Sequence, residues 1–467
     1  MADVMKGDIR EQHKVLIITY VFPPAAYVGT YRTLKYCKYL LDYGWTPVVL
    51  TIDPAGVVYQ DEALSRQVPD HIRIYRTFDI DPAKWLNRLS RAAENSRGAS
   101  TAAGPVRNRP PSGARRLWKR LGRRLSVLLT ESPDSHVFWV PFAVLKGAQI
   151  LLRENIDVIY CTSPPQSSHM AAFLLAKWFR KPYVLDFRDP WRPTATRRWL
   201  RKGETAAKKV IVRNAARVIS VSRGERDEMR QEFPALDPAH FTFITNGYDP
   251  SDFRIGGTKE PSGKMTLTHA GTVYPGTGEE FFAALDQLVR EHPGIETKIQ
   301  VRLIGEIAAE YADAVRSLEA TGMVRAYGPQ AHATTLQMVL GSEVLVILQG
   351  GERFLSSHIP AKVFEYLCAR KPIVAIAKAG DLTEIVTKSG LGIVISPHSV
   401  EELTRVLWDL YTDYADGRLA RVPNDAYIRS FERAALTQQL AMILDEAGAG
   451  SHGGQSRHPS VASSGRN

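Results

Sequence analysis

The sequence predicts an α/β protein made of two Rossmann-like domains that face each other across a cleft. Short apolar runs, typical of strands buried in a parallel sheet, alternate with helical patterns along most of the chain. A turn near residue 250 interrupts this alternation, which then resumes. The 467 residues are enough for two or three domains with substantial cores. We therefore expect ligands to bind at the carboxyl ends of the strands, between the two halves.

The first half begins with a continuously apolar run at 14–20, which predicts a buried parallel strand. A loop containing Pro23 and Pro24 follows it. Next comes a helical pattern with Leu34 and Cys37 on its apolar side. The dipeptide Asn246-Gly247 marks the turn that ends this half. Its other predicted strands are 45–51, 156–161, 182–187 and 217–221.

The second half repeats the pattern, starting with a strand at 265–271 that ends in a glycine. A helix is predicted at 277–290, and the other predicted strands are 301–305, 324–328, 343–348 and 373–376. We divide the chain into a first domain at 1–248, with a basic insertion near 96–130, and a second domain at 249–424. A last helix is predicted at 425–447, and the polar tail at 448–467 is predicted to be disordered.

Composition favours a soluble protein of a reducing cytosol. The N-terminus is polar and charged, unlike a signal peptide, and no stretch predicts a membrane span. The net charge of +11 favours an anionic partner. The three cysteines are too widely spaced to predict a disulfide framework or a zinc site: Cys37, Cys161 and Cys368.

The segment from Arg115 to Leu129 predicts a basic amphipathic helix. It contains six cations, and four of its leucines recur on one helical face. This pattern suits an anionic membrane surface, and the alternative is a solvated helix packed on its domain. Nucleic-acid binding is not predicted, because no recognised motif accompanies the charge.

Residues 356–367 predict a loop that becomes a helix. Ser357 is a candidate N-cap, and Pro360 suits a first helical turn. Lys362 and Glu365 are three residues apart and share one face. The helix start and the cation suit the phosphates of a nucleotide, and the carboxylate suits the ribose hydroxyls one turn later. The alternative is an ordinary amphipathic helix with a surface Lys–Glu pair.

The residues after this helix predict a strand and then another helix. The helix ends in the basic pair Arg370-Lys371, Pro372 precedes the apolar strand, and Gly380 precedes the next helix. This run resembles the donor site of GT-B glycosyltransferases, most closely glycosyltransferase family 4. There, a helix bearing a glutamate precedes a G-K-P-V/I strand, and the glutamate binds the ribose of a nucleotide-sugar. Glu365 stands at that position.

Other segments resemble the same family, in the same order, over roughly residues 14–425. Pro23-Pro24 with Gly29 and Arg32 resembles its P-P-x-x-G-G-x-x-R loop, whose glycine lets the backbone approach the donor phosphates. Segments 162–165 and 186–191 resemble a subgroup that makes bacterial surface polysaccharides. The remaining matches are 246–249 to N-G-V-D, 269–272 to v-G-r and 325–329 to v-x-f-x-G.

The resemblance implies a role for each matching position. The first domain is expected on the acceptor side, the second is expected to bind the nucleotide-sugar, and the last helix is expected to return to the first domain. Arg188 and Asp189 are expected to line the cleft as catalytic residues together with Glu365, and their alternative is a structural ion pair beside Trp191. The expected nucleotide-sugar ligands are Gly29, Arg32, Gly271, Thr272, Tyr327, Gly328, His358, Ile359, Lys362 and Glu365.

Three positions depart from the family pattern. The first of two family glutamates falls at Ser357, and the family's catalytic-region histidine falls at Arg188. The Arg and Lys that usually grip the diphosphate are missing from 271–278, so Lys362 is expected to supply that charge.

The resemblance implies a retaining, metal-independent hexosyltransferase that needs no cofactor. It moves a sugar from a nucleotide-sugar to a glycan or lipid-linked acceptor in polysaccharide biosynthesis, in the cytoplasm or at the inner face of the membrane. The alternatives are a nucleotide-sugar epimerase of the same fold and a non-catalytic scaffold for glycan assembly. The missing diphosphate-binding pair and Ser357 favour the scaffold.

Overall fold

The computed structural model describes residues 13–57, 59–79, 133–193, 197–257, 263–351 and 354–452. The predicted basic helix from Arg115 to Leu129 lies outside these residues. The described chain forms two compact units. The first takes its residues from Met1–Ser220, Phe233–Thr242 and Gln438–Asn467, and the second from Val221–Glu232 and Phe243–Thr437.

The first unit is built on a seven-stranded sheet. Its strands are β1 His13–Ile18, β2 Trp45–Ile52, β3 Arg73–Thr77, β4 Val158–Ser163, β5 Tyr183–Phe187, β6 Arg217–Ser220 and β7 Phe241–Phe243, in the order β3-β2-β1-β4-β5-β6-β7. Its helices are α1 Val28–Tyr39, α2 Glu62–Ser65, α3 Trp139–Arg153, α4 Ser167–Phe179 and α5 Arg198–Asn214.

The chain changes direction across this sheet at β1. Strand β1 pairs in parallel with β2 on one side and with β4 on the other. The connections after β1 and β4 therefore leave towards opposite edges, which opens a crevice at the carboxyl ends of the two strands. Every residue of β4 and β5 is buried, as expected for central parallel strands.

The second unit is built on a six-stranded sheet. Its strands are β8 Met265–Ala270, β9 Ile299–Ile304, β10 Val324–Gly328, β11 Val344–Gln349, β12 Ile373–Ala377 and β13 Gly392–Ile395, in the order β10-β9-β8-β11-β12-β13. Its helices are α6 Arg223–Glu232, α7 Glu279–Glu291, α8 Ala312–Ala320, α9 His332–Leu340, α10 Lys362–Ala369, α11 Asp381–Lys388, α12 Val400–Ala415 and α13 Asp425–Arg429. Helix α14, Arg433–His452, begins in this unit and continues in the first.

The second sheet has a switch point between β8 and β11, which pair in parallel. The apolar core lies on both faces of this sheet. On one face, helix α10 buries Val363, Phe364 and Leu367 against the strands. This burial fixes the rotation of α10, so the positions of Lys362 and Glu365 follow from the core contacts of the same helix.

The predicted α/β class with two parallel sheets is confirmed. Helix α6 precedes the boundary predicted at residue 248, yet it belongs to the second unit. In the first unit, α14 is tied to β2 because the Trp45 indole N–H donates to Asp445 Oδ1 at 2.8 Å. Within the described residues, no helix has both the length and the apolar character needed to cross a membrane.

Candidate functional site

Helix α10 begins at Lys362, later than the capping pattern predicts. Its N-cap is Ala361, with no side-chain cap. The prediction that Ser357 caps this helix is wrong, because the Ser357 hydroxyl donates to Glu228 Oε1 on α6 at 3.1 Å. Segment 357–361 is therefore a loop that leads into the helix, with Lys362 in its first turn.

Lys362 is half-buried, and its ammonium lies at the carboxyl end of β8. Its Nζ lies 3.1 Å from Nε2 of His269, and Nδ1 of His269 lies 3.0 Å from the carbonyl oxygen of Val346. A carbonyl only accepts hydrogen bonds, so Nδ1 carries the proton and Nε2 accepts from the ammonium. Burial and the nearby Lys362 hold the pKa of His269 well below its usual value. The partner of Lys362 is therefore a neutral imidazole.

The environment of Lys362 disfavours its charged form. Burial lowers the pKa of Lys362 to about 7, against the opposing effect of Glu365. A partly buried ammonium whose hydrogen-bond partner is neutral is poorly compensated. An anion placed near Nζ would restore the charged form, so this position is suited to bind phosphate oxygens.

Gly271 leaves the space that Lys362 occupies. A Cβ on Gly271 would lie 2.7 Å from Lys362 Nζ, and its φ of +126° also favours glycine. The Gly271 N–H donates to the carbonyl of Ile304 at 2.6 Å, which joins the ends of β8 and β9. Thr272 follows directly and is half-buried. The structure thus brings Gly271, Thr272 and Lys362 together, as predicted for one site.

Glu365 lies one turn after Lys362 and is held by a histidine. Its Oε1 is 2.8 Å from Nε2 of His332, the first residue of α9. Both side chains are about one-third exposed, at 27% for Glu365 and 34% for His332. An accessible carboxylate with one oxygen already held in place is suited to accept hydrogen bonds from a diol.

The other predicted donor ligands have more varied environments. Tyr327 is half-buried at the end of β10, with the Arg325 guanidinium 4.8 Å from its ring centroid. His358 stacks on Phe354 with ring centroids 4.9 Å apart. Ile359 is packed into the core with α10, which gives its side chain a structural role. Gly328 ends β10, and its carbonyl accepts from the Gly305 N–H at 2.9 Å.

In the first unit, Gly29 and Arg188 are in direct contact. A Cβ on Gly29 would lie 1.0 Å from Nη1 of Arg188, so glycine is required for the guanidinium to take this position. The guanidinium also donates to two carbonyl oxygens of the turn after β4, those of Ser163 and Pro164. Asp189 is exposed. Gly29, Arg188 and Asp189 therefore cluster where the β1, β4 and β5 strands end.

Arg32 is buried and bound to Asp186 on β5. Its Nε and Nη2 each lie 2.9 Å from a carboxylate oxygen of Asp186, which gives a bidentate pair. The hydroxyls of Tyr160 and Thr162 donate to the same carboxylate at 2.5 and 3.0 Å. Burial acts to raise the pKa of Asp186, but Arg32 and the hydroxyl donors outweigh it and hold that pKa below its usual value. The pair therefore ties α1, which carries Arg32 and follows the loop after β1, to strand β5.

His269 and His332 of the second unit and the buried His169 of the first unit were not among the predicted site residues. His269 and His332 reach Lys362 and Glu365 from distant segments. His169 on α4 is buried against Phe187, with ring centroids 4.5 Å apart. Neither of its ring nitrogens has a hydrogen-bond partner among the described residues, and burial lowers its pKa to about 3.

The sequence leaves open a purely structural role for an Arg188–Asp189 pair beside Trp191. The contacts of Trp191 bear on this alternative. The Trp191 indole N–H donates to Glu204 Oε1 on α5 at 3.0 Å. Trp191 therefore ties α5 to the loop that carries Arg188 and Asp189. In the part of the chain that is described, no group of three or more His, Cys, Asp or Glu side chains is placed to hold a metal ion.

Comparison with known proteins gives a family for the first half and a fold for the whole chain. Residues 30–247 match the family model described as glycosyl transferase 4-like domain. No curated protein matches the chain significantly. Many solved structures match it at low identity.

One similar structure is Anabaena HepE in complex with UDP and glucose, at 15% identity and a TM-score of 0.56 over 93% of this chain and 99% of that one. Another is sucrose-phosphate synthase from Thermosynechococcus elongatus, at 15% identity and 0.59 over 94% and 100%. A third is α,α-trehalose 6-phosphate synthase from Burkholderia multivorans, at 10% identity and 0.59 over 96% and 99%. Residues 30–247 therefore match a glycosyl transferase 4-like domain, and the chain as a whole has the GT-B fold.

Proposed function

We propose that the protein is a glycosyltransferase that moves a hexose from a nucleotide-sugar to a glycan or lipid-linked acceptor in polysaccharide biosynthesis. The observation that carries this proposal is the position of Lys362, half-buried with a neutral imidazole as its hydrogen-bond partner, one helical turn before the accessible Glu365. A cation and a carboxylate at this spacing match the diphosphate and the ribose of one nucleotide.

The donor half of the proposal assigns roles within the second unit. Lys362 and the N–H groups at the start of α10 neutralise the diphosphate, while Gly271 leaves room beside them. Glu365, oriented by His332, accepts from the ribose hydroxyls. Anabaena HepE, a protein of the same fold, is described in complex with UDP-glucose, which supports a nucleoside diphosphate sugar as the donor.

The chemistry is proposed to be retaining and independent of metal. As the glycosidic bond breaks, negative charge develops on the leaving diphosphate, and a preorganised cation stabilises it best when water is excluded. Lys362 is half-buried, and its surroundings lower its pKa, so an added anion would be stabilised strongly there. Arg188 and Asp189 are proposed to act from the first unit, where Gly29 and the turn after β4 fix the Arg188 guanidinium.

The first experiment is a thermal-shift screen against a panel of nucleotide-sugars and free nucleoside diphosphates. One nucleotide-sugar should raise the melting temperature of the wild type, and Lys362→Met should abolish the shift. Glu384→Ala is the matched control, because Glu384 is a glutamate of the same unit whose carboxylate pairs with Lys388. A wild type that no nucleotide-sugar stabilises would support the scaffold alternative.

The second experiment is product analysis with the nucleotide-sugar that binds. Release of the nucleoside diphosphate, with the sugar transferred to an acceptor or to water, supports glycosyl transfer. A changed sugar that stays attached to the nucleotide identifies the epimerase instead. The anomeric configuration of the product, read by NMR, tests retention.

A further inference from the structure

Helices α3, α4 and α5 form one layer on a face of the first sheet. Helices α3 and α4 approach closely at Gly147, where a Cβ would lie 2.4 Å from Cδ1 of Leu175. Helix α4 is joined to α5 at their C-terminal ends, because Lys177 Nζ donates to Asn214 Oδ1. The sheet-facing sides of these helices are buried, so their opposite sides form a continuous outer surface, called here the α3–α5 surface.

Large apolar side chains are exposed on this surface. Leu152 on α3 is 77% exposed, and Trp178 on α4 is 67% exposed. Their exposure is not scattered along the helices: Leu145 lies seven residues before Leu152, and Leu174 lies four residues before Trp178. Each pair therefore shares one helical face. Trp199 on α5 is also exposed.

The charge of the same surface has a single sign. The sequences of α3, α4 and α5 contain one carboxylate, Glu204, which is buried and accepts from the Trp191 indole. The cations of the three helices include eight that are exposed or half-buried: Lys146, Arg153, Lys177, Arg198, Arg201, Lys202, Lys209 and Arg213. The outer face thus combines exposed leucines and tryptophans with lysines and arginines and carries no exposed carboxylate.

We propose that the α3–α5 surface docks the first unit onto an anionic lipid bilayer. Lysines and arginines near such a surface are attracted by the headgroups, and exposed Leu and Trp side chains insert at the boundary with the acyl chains. Leu145, Leu152, Leu174 and Trp178 are the inserting residues, and α5 supplies most of the positive charge.

A bilayer fits this surface better than a second copy of the chain. Two copies that met through this surface would bring lysines and arginines against each other without a carboxylate to pair with them. An acidic protein partner would also complement the positive charge. The test must therefore distinguish binding of vesicles from binding of an acidic protein. The proposal goes beyond the proposed function, because docking requires no sugar transfer.

The test is co-sedimentation of the full chain with vesicles. Vesicles of 70% phosphatidylcholine and 30% phosphatidylglycerol should bind the wild type, whereas pure phosphatidylcholine vesicles should bind it weakly. Raising NaCl to about 0.5 M should weaken the binding, because screening shortens the range of the attraction. Replacing Lys202, Lys209 and Arg201 by Glu should weaken it at least about tenfold.

Matched variants separate this surface from the net charge and from the predicted basic helix. Lys298, Arg405 and Arg421 are exposed cations of the second unit, and their replacement by Glu changes the charge equally but should leave vesicle binding unchanged. Trp178→Ala with Leu174→Ala should weaken binding about fivefold or more, whereas the exposed Val422→Ala should not. Changing Arg116, Arg120 and Arg124 to Glu measures the separate contribution of the predicted basic helix.

Four outcomes would overturn the proposal. In the first, the α5 charge variant and the control variant sediment equally. In the second, only the basic-helix variant loses binding. In the third, the Trp178 and Leu174 variant binds like the wild type, which would show that these side chains do not insert. A protein that binds an acidic protein but does not bind vesicles containing phosphatidylglycerol would also overturn it. The thermal shift by a nucleotide-sugar is measured on each variant, so failure of docking and failure of the donor site are distinguishable.

Discussion

Binding of a nucleotide-sugar should depend on pH through Lys362. In the free protein, burial lowers the pKa of Lys362 to about 7. A bound diphosphate favours the ammonium and raises this pKa again, so binding takes up a proton at any pH where the free lysine is neutral. Affinity should therefore be nearly constant below about pH 6 and should fall as the pH rises through 7.

The size of this effect follows from the position of the pKa. Between pH 6 and pH 8, the charged fraction of a lysine with that pKa falls from about 90% to about 10%. If only the charged form binds, affinity falls about tenfold over this interval, or about 1.4 kcal/mol. His269 adds nothing here, because its pKa is held well below its usual value and the ring stays neutral.

Isothermal titration calorimetry with the nucleotide-sugar at pH 6, 7 and 8 measures this dependence. Repeating the pH 8 titration in buffers of different ionisation enthalpy measures the proton uptake, which should approach one per site. Lys362→Arg is the control, because a guanidinium stays charged throughout this range and its affinity should not vary. Equal affinity of the wild type at pH 6 and pH 8, or the same loss in Lys362→Arg, would refute the assignment of Lys362 to the diphosphate.

Three further predictions concern the rest of the site. Glu365→Ala should lower nucleotide affinity at least about tenfold without unfolding the protein, since charge-assisted hydrogen bonds contribute roughly 1.5–3 kcal/mol, while Glu384→Ala should bind normally in the same titration. Transfer activity, assayed as nucleoside diphosphate release, should survive EDTA; complete loss that Mg²⁺ or Mn²⁺ restores would contradict the metal-independent proposal. Asp186→Asn should lower the free energy of unfolding by about 3–5 kcal/mol because Arg32 is left buried without a counter-charge, whereas exposed Asp189→Asn should change it by less than about 0.5 kcal/mol in the same urea titration.

The central strands could be predicted from the sequence because they are buried on both faces. Strand β11, Val344–Gln349, is entirely buried and was predicted at 343–348 from its continuous apolar run. Strands β3 and β7 lie at the two edges of the first sheet and were missed. Strand β3, Arg73–Thr77, contains two arginines among its five residues and is mostly half-buried, as edge strands are, and such a short pattern does not stand out from a loop.

The structure places Lys362 and Glu365 one turn apart on α10 and surrounds them with side chains that the sequence pattern does not identify. Helical periodicity placed the two side chains on one face, one turn apart. Their partners come from elsewhere: His269 from β8, 93 residues earlier, and His332 from α9, 33 residues earlier. Contacts of this kind depend on sheet order, which local pattern does not contain.

The sequence contains a signal that points to the buried charge pair of Arg32. Arg32 was predicted as a donor ligand from a loop motif, and the structure places it in a buried pair with Asp186. Asp186 lies within the apolar strand β5, and a carboxylate in the middle of a buried strand requires a buried partner. A charged residue inside an apolar run therefore predicts a second buried charge, although not which one.

The contrast between Arg32 and Lys362 decides which cation is available to a ligand. Arg32 is fully buried and Lys362 is half-buried, but Arg32 makes two charge-assisted bonds to Asp186, which also receives hydroxyl donors. Within the described residues, the hydrogen bond of Lys362 goes to a neutral imidazole, and the nearby Glu365 is itself held by His332. A cation whose charge is already balanced gains little from an added anion, whereas one that burial has partly neutralised gains its full charge on binding. The same burial that destabilises the Lys362 ammonium in the free protein is therefore what makes this position favourable for a diphosphate.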